Sequence, residues 1–430
     1  MKAVKQLLSG NGRQFGMIFA LVVLIGLFQW LTGGKTLTPT NMINLFNGNS
    51  YILILAVGMV FVIIAGHIDL SVGSVAAFSG IVVAMAMRDW GLPWYAGIIL
   101  GLLVGAAIGA WQGFWVAYVG IPAFIVTLAG MLIFRGANQW VGKSNTVPVP
   151  SEFQFIGAGY LPEGGPIPGY NNLTLLLGLI LCAAVIYGEM RKRGRNAKLG
   201  TVNPPAWVPM VKIGLLCAVI LYATYLFATG RPGTSFPISG IILGALVLFY
   251  GFVSNKTILG RHVYAVGGNR HAAELSGVQG KKVNFMVMMN MSILAALAGM
   301  IFVARSTASG PFDGTNWELD AIAAVFIGGA AVSGGVGTVV GSTVGGLVMA
   351  VLNNGLQLLG VGADTTSMIK GLVLLLAVAL DVYNKTQGRP SITGLLMRNF
   401  GGNKPAPAPA AVDATPEMPT GTKTVISTDA

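Results

Sequence analysis

The chain has 430 residues, of which 54% are hydrophobic and only 9% charged. A soluble domain carries roughly a quarter charged residues, so this composition excludes a soluble globular protein and points to an integral membrane protein. The net charge of +12 would suit a nucleic-acid binder, but the positive residues sit between apolar runs, where membrane topology demands them; no nucleic-acid partner is expected, and the bilayer is the first partner.

A spanning helix needs about 20 mostly apolar residues. In chain order, such runs lie at about 15–32, 51–66, 70–87, 95–118, 122–142, 173–188, 207–228, 236–253, 283–304, 319–333, 336–358 and 366–384. They predict an all-α polytopic bundle of about 10–12 spans. No small-residue cleavage site follows Phe15–Leu31, so this run reads as a retained span rather than a signal peptide. The loops alternate in charge. One side holds Lys2, Lys5 and Arg13; Arg191, Lys192, Arg193, Arg195 and Lys198; Lys256, Arg261, Arg270, Lys281 and Lys282; and Lys385, Arg389 and Arg398. The other holds only Lys35, Arg88, Lys143, Arg231 and Arg305. The positive-inside rule places the first side, and both termini, in the cytoplasm.

Two runs read alike and break at the same place: VFVIIAGHIDLSVGSVAAFSGIV (60–82) and VFIGGAAVSGGVGTVVGSTVGGLV (325–348). On the span count they run in the same direction. Paired, glycine-interrupted membrane segments in two halves point to a solute pathway. The expected organisation is one transmembrane domain over 1–400 with an internal two-fold repeat and broken helices. Its halves cover about 40–142 and 236–384, with extra spans at about 173–228 between them. Strings such as Gly101-Leu102-Leu103-Val104-Gly105 and Gly341-Ser342-Thr343-Val344-Gly345 allow close helix approach. Residues 143–172 are rich in Pro and Gly and should face outside, 254–283 form a basic inner loop, and 401–430 read as a disordered cytoplasmic tail.

No catalytic set appears. There is no G-x-x-x-x-G-K-[ST] for nucleotide phosphates and no H-E-x-x-H. The histidines are scattered, and Cys182 and Cys217 lack metal-type spacing and read as packing residues. No enzyme activity, metal or cofactor is expected. Four features could still carry function. In the inner loop, Asn269 could cap a short helix over Arg270–Ser276, ended by Gly277, with Gly267-Gly268 breaking the chain before it. Such a helix would present Ala272, Ala273 and Leu275 among charges and suits docking of a cytoplasmic partner; an inert solvated loop is the alternative. Asp69, Ser71 and Ser74 sit at the first break. Asp69 either caps the resumed helix or contacts a solute. Asp320 also starts a span and reads as a cap, while Glu189 and Asp381 read as ion-pair residues at inner span ends. Trp111, within AWQGFWVAYV, puts an aromatic ring beside hydrogen-bonding groups, which suits a sugar; an interfacial aromatic belt is the favoured reading. Asn353 and Asn354 could hydrogen-bond a solute or join helices.

Taken together, AVGMVFVIIAGHIDLSVGS, PAFIVTLAGMLIFRG, YAVGGNRHAAELSGV, ELDAIAAVFIGGAAVSGGVGTVVG and LNNGLQLLGV resemble the permease subunits of bacterial monosaccharide ABC importers. The resemblance runs from about residue 40 to about 384. WQGFWVAYVGIPAFIVTLAGMLIFRG and the basic stretch Arg191–Lys198 are similar to the xylose type. The resemblance implies a multi-pass protein of the bacterial inner membrane, paired with a second permease chain in a homodimer. It implies a cytoplasmic ATP-binding subunit that touches Gly268, Asn269, Ala272, Ala273, Leu275, Ser276 and Gly277, and a periplasmic sugar-binding protein. The translocation-pathway candidates are Asp69, Ser71, Ser74, Trp111, Asn353 and Asn354. His67 departs from the small or polar residue expected before I-D-L-S. The alternative function is a stand-alone ion-coupled sugar carrier, which would need a buried coupling site.

Overall fold

The computed structural model describes residues 12–200, 205 and 207–386; the tail expected at 401–430 lies outside them. Most of the described chain is helical, with two short strands. In order come α1 (Gly12–Leu31), α2 (Pro39–Ile64), α3 (Val72–Asp89), α4 (Trp94–Phe114, prolonged by a wide π turn over Trp115–Val119) and α5 (Ala123–Val141). Next are β1 (Val147–Pro148), α6 (Ser151–Ala158), α7 (Asn172–Lys198), α8 (Trp207–Ala228) and α9 (Ile238–Lys256). Then follow α10 (Ile258–Gly268), α11 (Arg270–Leu275), α12 (Gly280–Ser306), β2 (Ala308–Ser309), α13 (Trp317–Ile327), α14 (Val339–Leu358) and α15 (Ala363–Thr386). Proline sets several starts: Pro39 is the first residue of α2, and Pro93, Pro122 and Pro237 stand immediately before α4, α5 and α9. Its fixed φ and missing N–H favour that position.

Helices α2 and α12 form the centre. Nearly every residue of α2 from Ile52 to Ile64 is buried, as is the face of α12 through Val287, Met291, Leu294, Ala298 and Ile301. Against α12 lies α4, which presents Gly101, Gly105, Gly109 and Gly113 to it. A Cβ at Gly105 or Gly109 would sit within 3 Å of α12 backbone. This four-residue glycine spacing is what lets two backbones approach in lipid, where packing replaces the hydrophobic drive.

The contacts fix the direction of each element. Gly48 lies beside Arg305 and Gly58 beside Met291, so α2 runs antiparallel to α12. Gly299 packs on Ala76 and Gly80 on Val303, so α3 runs parallel to α12. Gly328 meets Gly341 and Gly345 meets Ala324, so α13 and α14 are antiparallel. Helix α14 is antiparallel to α2, since Gly346 meets Leu53 and Asn354 meets Asn41. Both breaks are therefore turns between a descending and an ascending helix, and both point to the same face. That face also carries α10 and α11; the opposite face carries α6.

Among the described residues, nine helices are long and apolar enough to cross a membrane, and Gly16–Leu31 is a shorter apolar helix. The protein is a polytopic all-α membrane protein. Several limits differ from the sequence expectation. The run expected at 51–66 begins at Pro39 instead, because its polar residues find protein partners: Asn41 pairs with Asn354 and Asn47 takes a bond from Ser239. The run expected at 173–188 continues helically through the basic stretch to Lys198, as good helix formers such as Arg and Lys allow. The run expected at 319–333 is helical only over Trp317–Ile327, 11 residues, too short to span alone. Gly329, Gly334 and Gly335 all take positive φ after it, which ends the helix. Residues 143–172 are not a plain loop: β1 pairs with β2, and α6 buries Phe153 while Gly157 packs on the Ile301 carbonyl of α12.

Candidate functional site

The two breaks meet each other. The Gly335 N–H donates to the Ile64 carbonyl at 2.8 Å. Gly334 lies against Gly66 and against the Gly267 carbonyl. Gly267, near the end of α10, packs so closely on Ile64 that a Cβ would collide with its carbonyl oxygen. On the same helix the Tyr264 hydroxyl donates to the Gly337 carbonyl at 2.7 Å and lies 3.0 Å from Ser254 Oγ. The ends of α2 and α10 and the turn before α14 thus touch backbone to backbone. A Cβ would clash at 267, 334 and 335, and Gly66 holds φ +83°, which accounts for glycine at these four positions.

Beyond this junction stands α11. Thr257 caps α10 by accepting from Gly260 N–H, and Asn269 caps α11 by accepting from Ala272 N–H at 3.0 Å. Gly277 follows at φ +86°, the left-handed conformation that ends a helix. The expected capped helix is present, yet Gly267 and Gly268 close α10 rather than break a loop. Ala273 is buried, whereas Ala272, Ser276 and Leu275 are exposed, Leu275 at 78%. Arg270 and Glu274 pair across one turn at 2.9 Å. Leu275 is therefore an apolar tip, held among polar groups, on a helix whose neighbour grips both breaks.

A buried polar cluster lies on the bundle side of the first break. Asp69 Oδ1 accepts from Ser71 N–H at 2.8 Å and from Ser71 Oγ at 2.6 Å. This is a turn two residues on rather than a helix cap. Asp69 Oδ2 and Ser74 Oγ are buried without partners. Gln112 Nε2 reaches Ser71 Oγ at 2.9 Å, and Thr127 Oγ1 accepts from Leu70 N–H at 3.1 Å. Gln112 is fully buried, while Trp111 is half-exposed against Phe134. The His67 Nε2 is buried and unpartnered at the break.

Asn353 and Asn354 part company. Asn354 exchanges two hydrogen bonds of 2.9 Å with Asn41, tying α14 to α2. Asn353 has a buried, unpartnered Oδ1 and faces a cavity between α2, α13, α14 and α15. Of the charges nearby, the sequence singled out Asp320 as a cap but not Glu318, Arg135 or Lys370. Asp320 is not a cap: its carboxylate pairs with Lys370 at 2.9 Å. Glu318 lies 3.6 Å from Arg135, and its second oxygen overhangs Gly73 at the start of α3. The signal was available, because Arg135 and Lys370 fall inside apolar runs, where a charge is costly and rarely idle. Glu189 pairs with Lys212, as an ion-pair role requires; the Asp381 side chain lies outside the described residues. In the loop before α13, burial holds the Asp313 carboxyl above its usual range, opposed by its bond from Gly310 N–H. Among the described residues, no group of three or more His, Cys, Asp or Glu could hold a metal ion. Cys182 and Cys217 are free thiols.

Residues 41–378 match the family described as branched-chain amino acid transport system / permease component. The chain belongs to this permease family. The permease is 40% identical over 381 residues to the xylose transport system permease protein of Haemophilus influenzae, covering 88% of this chain and 99% of that one. It is 38% identical to the xylose transport system permease protein of Escherichia coli K12, over 87% of this chain and 93% of that one. It is 34% identical to the ribose import permease protein of the same strain, over 86% and 93%. No solved structure matches the permease. Such a chain is a subunit of a transporter and not itself an enzyme.

Proposed function

We propose that this chain is the membrane-spanning subunit of a binding-protein-dependent ABC importer that brings a monosaccharide, xylose or a related pentose or hexose, into the cytoplasm of a bacterium across its inner membrane. Energy comes from ATP hydrolysis in a separate subunit docked on α11, a periplasmic sugar-binding protein delivers the solute at the α6 face, and a second copy of the chain completes the path. The observation that carries this is the junction: an exposed apolar tip, Leu275, joined through Gly267 and Tyr264 to both breaks. Movement imposed on α11 reaches Ile64 and Gly335 through direct backbone contact, which is what energy coupling from outside the chain needs. The sugar reading is supported by relatives named for xylose and ribose that align over nearly their whole length. The family description names branched-chain amino acids, so the substrate class is tested by uptake of labelled xylose, ribose, galactose, leucine and valine in cells with and without the gene. Gene-dependent uptake of xylose or ribose is expected; uptake of leucine or valine alone would overturn the sugar assignment.

The charge bias of the loops supports placing the α10–α11 face, and both termini, in the cytoplasm. A single cysteine at Ser151 should then react with an impermeant thiol reagent in intact cells, and one at Ala197 only after lysis; equal labelling would contradict the orientation. One observation favours a second reading, an ion-coupled carrier: the buried Asp69 oxygen without a partner, since such carriers place carboxylates within the membrane.

A further inference from the structure

The cavity beside Asn353 encloses about 520 Å³, within the range of roughly 300–1,000 Å³ usual for small-molecule sites. Its wall combines two kinds of surface. Trp317 and Tyr51 border it, with ring centroids 4.3 Å apart. Asp320, Lys370, Asn353 and Gln357 supply hydrogen-bonding groups. The Asp320 and Lys370 side chains are 6% and 25% exposed. Such a largely buried pair contributes little to stability, because desolvation offsets its attraction, and charged groups within the apolar runs of a membrane protein mark function by default. The Asn353 Oδ1, buried and unpartnered, is an acceptor awaiting a donor. The cavity reaches the loops before α13 and before α15, where Thr315, Asn316 and Val361 line it. That is the face opposite α10 and α11.

We infer that this cavity, held within one permease chain, binds a neutral polyhydroxylated solute, a monosaccharide, through Asp320, Lys370 and Asn353. The inference rests on the proposed sugar import and adds to it a specific site. A sugar hydroxyl both donates and accepts, so one hydroxyl can donate to Asn353 Oδ1 or Asp320 while another accepts from Lys370. The paired charges cancel, so no net field attracts an ion. The aromatic edges of Tyr51 and Trp317 supply apolar surface for sugar C–H groups. A zwitterionic amino acid offers its own ammonium and carboxylate to Asp320 and Lys370, so leucine is the competing ligand that the test includes.

The test places a cysteine reporter in the wall. In the full-length chain with Cys182→Ala and Cys217→Ala, Ser367→Cys is introduced at the cavity, and Ser151→Cys on α6 in a second chain. Labelling by a small thiol reagent is timed in membranes with xylose, ribose or leucine. With xylose or ribose at about ten times its dissociation constant, labelling of Ser367→Cys should slow about tenfold, and that of Ser151→Cys should not change. Leucine should protect neither, and adding Asn353→Ala should abolish the protection. No protection by either sugar, equal protection by leucine, or full protection with Asn353→Ala would each overturn the site. Wild-type uptake of labelled xylose and ribose, measured alongside, separates the failures: uptake without protection removes this site and leaves sugar import standing, whereas no sugar uptake removes the import reading itself.

Discussion

Lys370 and Asp320 lie 2.9 Å apart on α15 and α13, and each makes the other tolerable. Lys370→Met would leave the Asp320 carboxylate buried and unpaired, which costs about 3–5 kcal/mol, whereas replacing both charges together is close to neutral. Thermal unfolding of the detergent-solubilised chain should therefore show a large loss for Lys370→Met and recovery of most of it in the Lys370→Met/Asp320→Asn double variant. Equal stability of the single variant and the wild type would mean the pair is solvated. At this scale the sequence singled out segments whose adjacent side chains turn to different surroundings. Adjacent helix residues point about 100° apart. Gln112 therefore joins Ser71 while Trp111 stands on the exposed side, and Asn353 faces a cavity while Asn354 binds Asn41. Which neighbour turns inward depends on what packs against the helix, and one sequence does not record that.

Helix α11 was legible because capping is local: Asn269 and Gly277 lie within one short segment and satisfy its ends on their own. The extent of α10 was not, because its last turn is set by a distant partner, the Ile64 carbonyl that Gly267 meets. The same holds for α6, whose Phe153 is buried against elements far along the chain. Two substitutions separate the docking of α10 from the exposed tip of α11. Gly267→Ala would force a methyl group into the Ile64 carbonyl, an overpacking that costs about 1–3 kcal/mol, so both the melting temperature and uptake should fall. Leu275→Asp changes an exposed side chain, so the melting temperature and the amount in the membrane should stay at wild-type level. If Leu275 enters a cleft of the ATPase, that variant should lose both uptake and co-purification of the ATPase, because it would bury an unpaired charge. Wild-type transport by Leu275→Asp with the ATPase still bound would remove α11 from the coupling.

In the molecule as a whole, two descending–ascending helix pairs turn on the same face, and one helical segment grips both turns. The repeat at 60–82 and 325–348 was visible in the sequence, whereas its direction hung on the span count. That the two copies touch, through Gly335 and Ile64, was not visible there, since no periodicity reports a contact between segments so far apart. The central claim is that this chain moves sugar but takes its energy from another subunit. The measurement that tests it most directly is accumulation of labelled xylose in proteoliposomes holding the purified chain, with and without its ATPase, sugar-binding protein and ATP. Accumulation above the outside concentration only when all three are supplied is the predicted result; accumulation by the chain alone, driven by a proton or sodium gradient, would contradict it.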